Sequence, residues 1–244
     1  MSELAGRYQR VQDEVAAAAR RAGRDPGSVT LVAVSKGFGV APMRDLIALG
    51  QRDFGENRVQ EAAAKYKELR TQVRWHFVGR LQRNKVRFLA GWVDLVHSID
   101  RAELATEFDR RAARTVEVLI EVNLSGDPAR GGIAPADVPR LAEALAPLPH
   151  VRVTGLMGMA PPLGSPGEAR PYFRRLAQLS DQLAASTDSG VFHHLSMGMS
   201  QDYGVAVEEG ATIVRIGEAL FGPRPARTGG DRTLNLGSTW LGGR

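Results

Sequence analysis

The chain contains no cysteine, which excludes a disulfide framework, a thiolate metal site and a cysteine nucleophile together. Aromatic residues make up only 6% of it, and its basic residues are scattered, as in Arg110-Arg111 and Arg174-Arg175, rather than interleaved with rings. A solvated surface is therefore favoured over a nucleic-acid face, although Lys and Arg exceed Asp and Glu by 32 to 27 and an anionic small ligand stays in view. No apolar run approaches a membrane span, and Met1 to Tyr8 lacks the apolar stretch of a signal peptide. A cytoplasmic location without membrane contact is the expectation. No glycine-rich loop ends in a nucleotide-binding lysine, and no two histidines have the helical spacing of metal ligands; His193 and His194 are adjacent and on a strand would face opposite ways. Gly37-Phe38-Gly39 mimics a dinucleotide-binding turn, but Pro42 stands where its third glycine belongs. No metal site is expected.

What is present is an ordinary globular composition over 244 residues, 43% hydrophobic and 24% charged, long enough for one α/β barrel. Apolar residues at helical spacing from Leu4 to Ala22 predict a leading helix, stopped by Gly23 and Asp25-Pro26-Gly27. Eight short runs then read as buried strands: Thr30 to Ser35, Arg52 to Glu56, Trp75 to Gly79, Leu95 to Ser98, Val116 to Asn123, Val151 to Met157, His193 to Ser196 and Ile213 to Gly217. Between them lie helical patterns opening at Pro42, Val59, Arg83, Arg101, Ala136, Glu168 and Ser200. Strands alternating with helices imply parallel pairing through crossovers, and eight such units favour a closed (β/α)₈ TIM barrel over an open sheet. The expectation is a single domain over residues 1–226, with an extra N-terminal helix and a mobile tail over residues 227–244. A closed barrel has no sheet edge that needs a partner, so a monomer is expected.

In a barrel the chemistry gathers where strands end. The polar residues there are Lys36, Glu56, Asn57, His76, Asn123, Ser196 to Ser200 and Arg215. A lysine straight after a buried strand either caps it and reaches solvent, the commoner outcome, or accepts desolvation, which frees the neutral amine for covalent bonding to a carbonyl. The small residues of Ser196-Met197-Gly198-Met199-Ser200 and of Gly217-Glu218-Ala219 let backbone N–H groups approach an oxyanion, so this pair of turns can cradle a phosphate. Lysine and turns together suggest a phosphate ligand bearing an aldehyde. The loop Ala160 to Gly167, rich in Pro, Gly and Ser, is expected to lie over the site rather than to divide domains.

Ala33-Val34-Ser35-Lys36, Phe54-Gly55-Glu56-Asn57 with Gln60-Glu61, Trp75-His76-Phe77-Val78-Gly79 with Leu81-Gln82 and Asn84-Lys85, Gly155-Leu156-Met157, Leu195 to Ser200 with Asp202, and Arg215-Ile216-Gly217 with Phe221-Gly222 together resemble the YggS/PROSC family of pyridoxal phosphate homeostasis proteins. The resemblance runs from about Leu31 to Arg224. It implies a barrel similar to the N-terminal domain of alanine racemase and to other fold type III proteins, carrying pyridoxal 5'-phosphate. Carried over by position, Lys36 is the Schiff-base lysine, Asn57 lies beside the cofactor, Ser200 and the backbone of Gly217 and Glu218 hold the phosphate, and Arg215 faces the pyridine nitrogen; His76 completes the set of cofactor-binding candidates. Glu218 stands where relatives often carry a hydroxyl, so only its backbone N–H serves and its charge must point away. An arginine at the ring nitrogen disfavours protonation there and weakens the ring as an electron sink.

Racemisation needs proton carriers on both faces of the substrate. The resemblance assigns one of them in alanine racemase to a tyrosine of a second domain, for which this chain has no room after its eighth strand. The expected role is therefore to hold, buffer and deliver pyridoxal phosphate, with apo-enzymes that use it as further partners, and without catalytic residues of its own. The competing expectations are a racemase-like enzyme of low activity and an anionic-ligand or nucleic-acid binder without cofactor.

Overall fold

A computed structural model describes residues 2–186 and 192–223. Its centre is a closed barrel of eight strands: β1 (Thr30–Val34), β2 (Asp53–Glu56), β3 (Arg74–Phe77), β4 (Leu95–Ile99), β5 (Val116–Val122), β6 (Val151–Gly158), β7 (His194–Ser196) and β8 (Ile213–Ile216). Every neighbour is parallel, and β8 returns to β1 with Thr30 opposite Ile213 and Ala33 opposite Ile216. The expected (β/α)₈ barrel is thus present, and strand ends differ from the sequence pattern by a residue or two. The expected mobile tail lies outside the described residues.

The helices follow the sequence pattern with instructive exceptions. α2 (Val40–Ala48) begins two residues before Pro42, which still sits in the first turn, where no N–H is required. α3 spans Val59–Leu69, α4 Ala102–Arg111, α5 Val138–Leu145 and α6 Arg170–Ser186. The helix expected from Arg83 is a 3-10 run, Arg83–Phe88, whose preceding Gln82 makes no side-chain cap; an uncapped six-residue segment closes more readily with tighter i to i+3 bonds. α7 (Tyr203–Glu208) starts three residues after Ser200, because Asp202 Oδ1 accepts from Met199 N–H at 2.6 Å and makes a separate turn. The last helix, α8 (Glu218–Phe221), has only four residues.

That short α8 explains the leading helix. α1 (Glu3–Arg21) is capped by Ser2 Oγ, which accepts from Ala5 N–H, and buries Tyr8, Val11, Val15, Ala18 and Ala19. This stripe at helical spacing lies against α2, α7 and α8. Arg7 donates to the carbonyls of Leu220 and Phe221, and Arg24 to those of Val207 and Ala211. Cations therefore satisfy the carbonyl ends of both short helices. α1 does the covering that a four-residue helix cannot.

Inside the barrel, Val32, Val34, Leu95, Leu119, Met157 and Ile213 form an apolar cluster separate from the larger core between sheet and helices. β6 carries an irregularity opposite β5 between Val118 and Leu119. Gly155 stands at that point, and a Cβ there would lie 1.8 Å from the His194 carbonyl oxygen. Two strands approach too closely for any side chain. Gly155→Ala is expected to lower unfolding stability by about 3 kcal/mol, whereas Gly167→Ala, with nothing within 4 Å of the added Cβ, should stay within about 0.5 kcal/mol. Urea unfolding of the two variants checks both; equal stabilities would mean that β6 shifts freely.

Candidate functional site

A cleft of about 1200 Å³ opens at the ends of the strands, walled by Lys36, Asn57, Arg130, Ser200, Arg215, Gly217 and Glu218 and by the loop from Ala160 to Pro166. Six of the seven candidate residues therefore meet on one surface. The seventh, His76, does not reach that wall: its side chain is fully buried within the barrel, bonded to His97 and Asp53. The proline-rich loop expected over the site does line it.

Lys36 sits in a turn held from behind. Phe38 N–H closes onto the Ser35 carbonyl at 3.0 Å, and Gly37 takes φ +82, a left-handed conformation that suits glycine. Both residues flanking Lys36 are clamped by side chains of β2 and α3. Lys65 Nζ donates to the Ser35 carbonyl at 2.8 Å, and Gly37 N–H donates to Glu61 Oε1 at 2.6 Å. Lys65 is ion-paired with Glu56 and Glu61 in turn, and Ser35 Oγ donates to Glu56. Burial pushes the Glu56 carboxyl up, while the Lys65 ammonium and the Ser35 hydroxyl draw it down. The backbone around Lys36 is thereby fixed by a buried ionic cluster rather than by loop chemistry alone.

The other walls are set with similar economy. A Cβ on Gly79 would fall 2.3 Å from the Asn57 carbonyl oxygen, so glycine lets the turn after β3 press on Asn57. Asn57 Oδ1 is buried there without a hydrogen-bond partner. Gly198, at φ +89, has no room for a Cβ against Ala206 and Tyr203, and its carbonyl accepts from Arg215 N–H at 3.0 Å. Ser200 Oγ accepts from Ala219 N–H at 3.1 Å, which ties the turns after β7 and β8 together. The Glu218 side chain is exposed at the rim of the cleft.

Arg215 is the dominant charge. It is 5% exposed, donates from Nη1 to Ser196 Oγ at 2.6 Å and from Nη2 to the Gly158 carbonyl at 3.1 Å, and lines the cleft. Burial lowers it to about 10, opposed by the charges of Glu121 and Asp202, so it remains a cation at neutral pH. Glu121, on the inner face of β5, is pushed up to about 7 by burial, with Asp100 adding and Arg215 and Arg80 opposing. Burial likewise raises Asp202.

Sequence reasoning missed His97, Asp53 and Glu121. A histidine amid Leu95-Val96-His97-Ser98-Ile99 was the available signal, since a polar residue inside an otherwise apolar strand needs a partner. His193 and His194 do not face opposite ways: β7 begins only at His194, strand alternation does not extend to His193, and the rings lie 4.2 Å apart. No group of metal-ligating residues occurs among the described residues, and no described helix is long and apolar enough to cross a membrane. A second, shallow depression of about 610 Å³ lies beside Arg83, Arg101 and Arg110; Arg83 and Arg110 already pair with Glu107 and Arg101 with Asp100, and hydrogen bonds from Arg110 and Arg111 hold Glu107 down at about 2.

Comparison with known proteins bears on this arrangement. The family described as alanine racemase, N-terminal domain, matches residues 7–225. A protein of Aquifex aeolicus named pyridoxal phosphate homeostasis protein is 46% identical over 222 residues, 89% of this chain and 97% of its own. The structure of PipY of Synechococcus elongatus with PLP bound superposes with a TM-score of 0.76 at 38% identity, covering 87% of this chain and all of that one. Alanine racemase of Corynebacterium glutamicum, at 18% identity and a TM-score of 0.61 over 62% of its length, is alike in fold alone. The chain belongs to the alanine racemase N-terminal domain family and, within it, to the pyridoxal phosphate homeostasis proteins.

Proposed function

We propose that this chain holds pyridoxal 5'-phosphate reversibly and serves its homeostasis in the cytoplasm, as a store and donor of the cofactor rather than a catalyst of turnover. The observation that carries the reading is the meeting of an amine, Lys36, and a buried guanidinium, Arg215, across one cleft at the strand ends. When bound, the cofactor supplies an aldehyde that a primary amine can hold covalently, a phosphate dianion and an electron-withdrawing ring.

The residues present fit that group. Lys36 is the amine on the wall, on a backbone clamped on both sides. Ser200 Oγ accepts from Ala219 and keeps its proton to donate to a phosphate oxygen. The Glu218 N–H, at the start of α8, has no acceptor within the helix, as at any helix start. Asn57 has a polar atom awaiting a partner. Arg215, cationic and short of a direct carboxylate, keeps a proton off any ring nitrogen it faces.

That cation also favours holding over turnover, because an unprotonated ring is a poor acceptor of electrons. Proton transfer on both faces would need a second carrier. Tyr8 is engaged with Gln51, Tyr66 stacks on Trp92 with centroids 4.4 Å apart, and Tyr172 and Tyr203 pack against the core. These placements support a carrier, as does the name borne by the Aquifex relative.

Absorbance before and after borohydride, with peptide mapping, tests the reading. A visible band that disappears on reduction and leaves a cofactor adduct on Lys36 is the expected result; a colourless protein that takes up no added pyridoxal phosphate would sink it. Lys36→Ala should lose the adduct and keep the fold. In Arg215→Glu the spectrum of the bound cofactor should shift as its ring nitrogen gains a proton, and an unchanged spectrum would put Arg215 elsewhere. Lys65→Met strips the buried Glu56 of its partner and should cost about 3 kcal/mol, the lower end for one half of a buried pair. Slower adduct formation should accompany that loss. Wild-type rates in Lys65→Met would mean that the clamp does not aim Lys36.

A further inference from the structure

We propose that Asp53, at the opposite end of the barrel from the cleft, is a positioning residue for Arg215, acting through a one-directional chain of hydrogen bonds formed by Ser196, His97 and His76. The chain has four links. Arg215 Nη1 lies 2.6 Å from Ser196 Oγ, Ser196 Oγ 2.9 Å from His97 Nδ1, His97 Nε2 2.9 Å from His76 Nδ1, and His76 Nε2 3.0 Å from Asp53 Oδ1. It crosses the barrel interior, where Ser196, His97 and His76 are all buried, from the floor of the cleft to the N-terminal end of β2.

The two ends decide how the protons run. A guanidinium has only donors, so Arg215 gives a hydrogen to Ser196; an ionised carboxylate only accepts, so Asp53, beside Arg74 Nε at 3.1 Å, receives one from His76. Between these ends a neutral imidazole must accept on one nitrogen and donate from the other. Burial, with the nearby charge of Arg215 adding to it, holds His97 well below its ordinary range, hence neutral. Only one assignment then satisfies every atom with both rings neutral: the Ser196 hydroxyl donates to His97 Nδ1, His97 Nε2–H donates to His76 Nδ1, and His76 Nε2–H donates to Asp53.

A barrel interior is ordinarily filled with branched apolar side chains, and here that filling is split. Val32, Leu95, Leu119 and Ile213 are the apolar part, and the histidine pair is the polar part. The pair delivers an acceptor to Arg215, a cation buried under the cleft. Without an oriented Ser196 oxygen, Nη1 of Arg215 would lose its bond and the guanidinium would turn. The remote carboxylate matters because it selects the tautomer of both rings. A fixed Arg215 is what presents a constant charge to the ligand's ring, so the consequence at the ring rests on the cofactor reading above; the chain itself does not.

The test separates the two. Imidazole ¹⁵N–¹H spectra of the labelled full chain, with no cofactor added, should show His76 and His97 at pH 7 as neutral rings protonated on Nε2. A ring protonated on Nδ1, or an imidazolium at either position, overturns the chain whatever the cleft binds. Asp53→Ala should mix the tautomers and broaden the Arg215 guanidinium signals. It should also weaken binding of added pyridoxal 5'-phosphate by about three- to tenfold, in the lower part of the range for coupling between linked groups. Asp53→Asn, which can still accept from His76, should restore both readouts. Unchanged Arg215 signals in Asp53→Ala, or an Asn variant as impaired as Ala, would count against positioning. If Asp53→Ala fails to fold, the wild-type imidazole spectra and the Asn variant still decide. If the wild type binds no pyridoxal phosphate, the functional reading falls while the imidazole and guanidinium signals still judge the chain.

Discussion

A guanidinium kept charged inside a barrel sets the terms for the rest of this site. Arg215 is almost wholly removed from water, and a cation so placed is costly unless its donors are met and opposite charge lies near. The structure meets the first need with Ser196 Oγ and the Gly158 carbonyl, and the second with Glu121 and Asp202, neither of which touches it directly. Both carboxyls are raised by their own burial. The negative charge that Glu121 offers Arg215 is therefore partial at neutral pH, and a ligand that brings its own anion and ring completes the balance.

The same division of labour recurs around Lys36. Its neighbours along the chain, Ser35 and Gly37, are held by Lys65 and Glu61 from α3. The amine can thus bond to a ligand or release it without moving the backbone. A reversible holder needs this combination: a rigid frame, a reactive tip and a ring environment that does not drive the ligand onward to reaction. Fixing the frame in advance removes an ordering cost that each binding event would otherwise carry.

Much of this was legible in the residues. Eight runs of β-branched and apolar residues located every strand, because a parallel barrel buries both faces of each and leaves a nearly continuous hydrophobic signal. Lys36, Asn57, Ser200, Gly217 and Glu218 stand after strands and Arg215 within one, the family resemblance marked them as cofactor-binding, and all six meet in the cleft. Local pattern was a weaker guide to helix type at Arg83–Phe88 and to the start of α7, where a missing cap and an aspartate turn outweighed periodicity. His76 was placed among the cofactor-binding residues because it lies in a strand near the right motif. Its depth within the barrel depends on pairing with Gly55 on one side and Leu95 on the other, which no single segment encodes. His97 and Ser196 bond across 99 residues of sequence, so their link exists only once the barrel has closed.

Closure therefore does more than remove sheet edges. In an open sheet, the side chains of β3 and β4 would look outward from one surface and those of β7 and β8 from a distant part of it. In the ring they face one another across the interior, and His97 of β4 reaches Ser196 of β7. A polar contact across that width requires that the opposing walls keep their spacing, since hydrogen bonds weaken steeply with misalignment. The tight approach of β6 to β7 at Gly155 and the covering of α8 by α1 hold that spacing on the side where Arg215 stands. Features remote from the cleft, a bulged strand and an extra helix, thus act on its chemistry by fixing the width of the barrel.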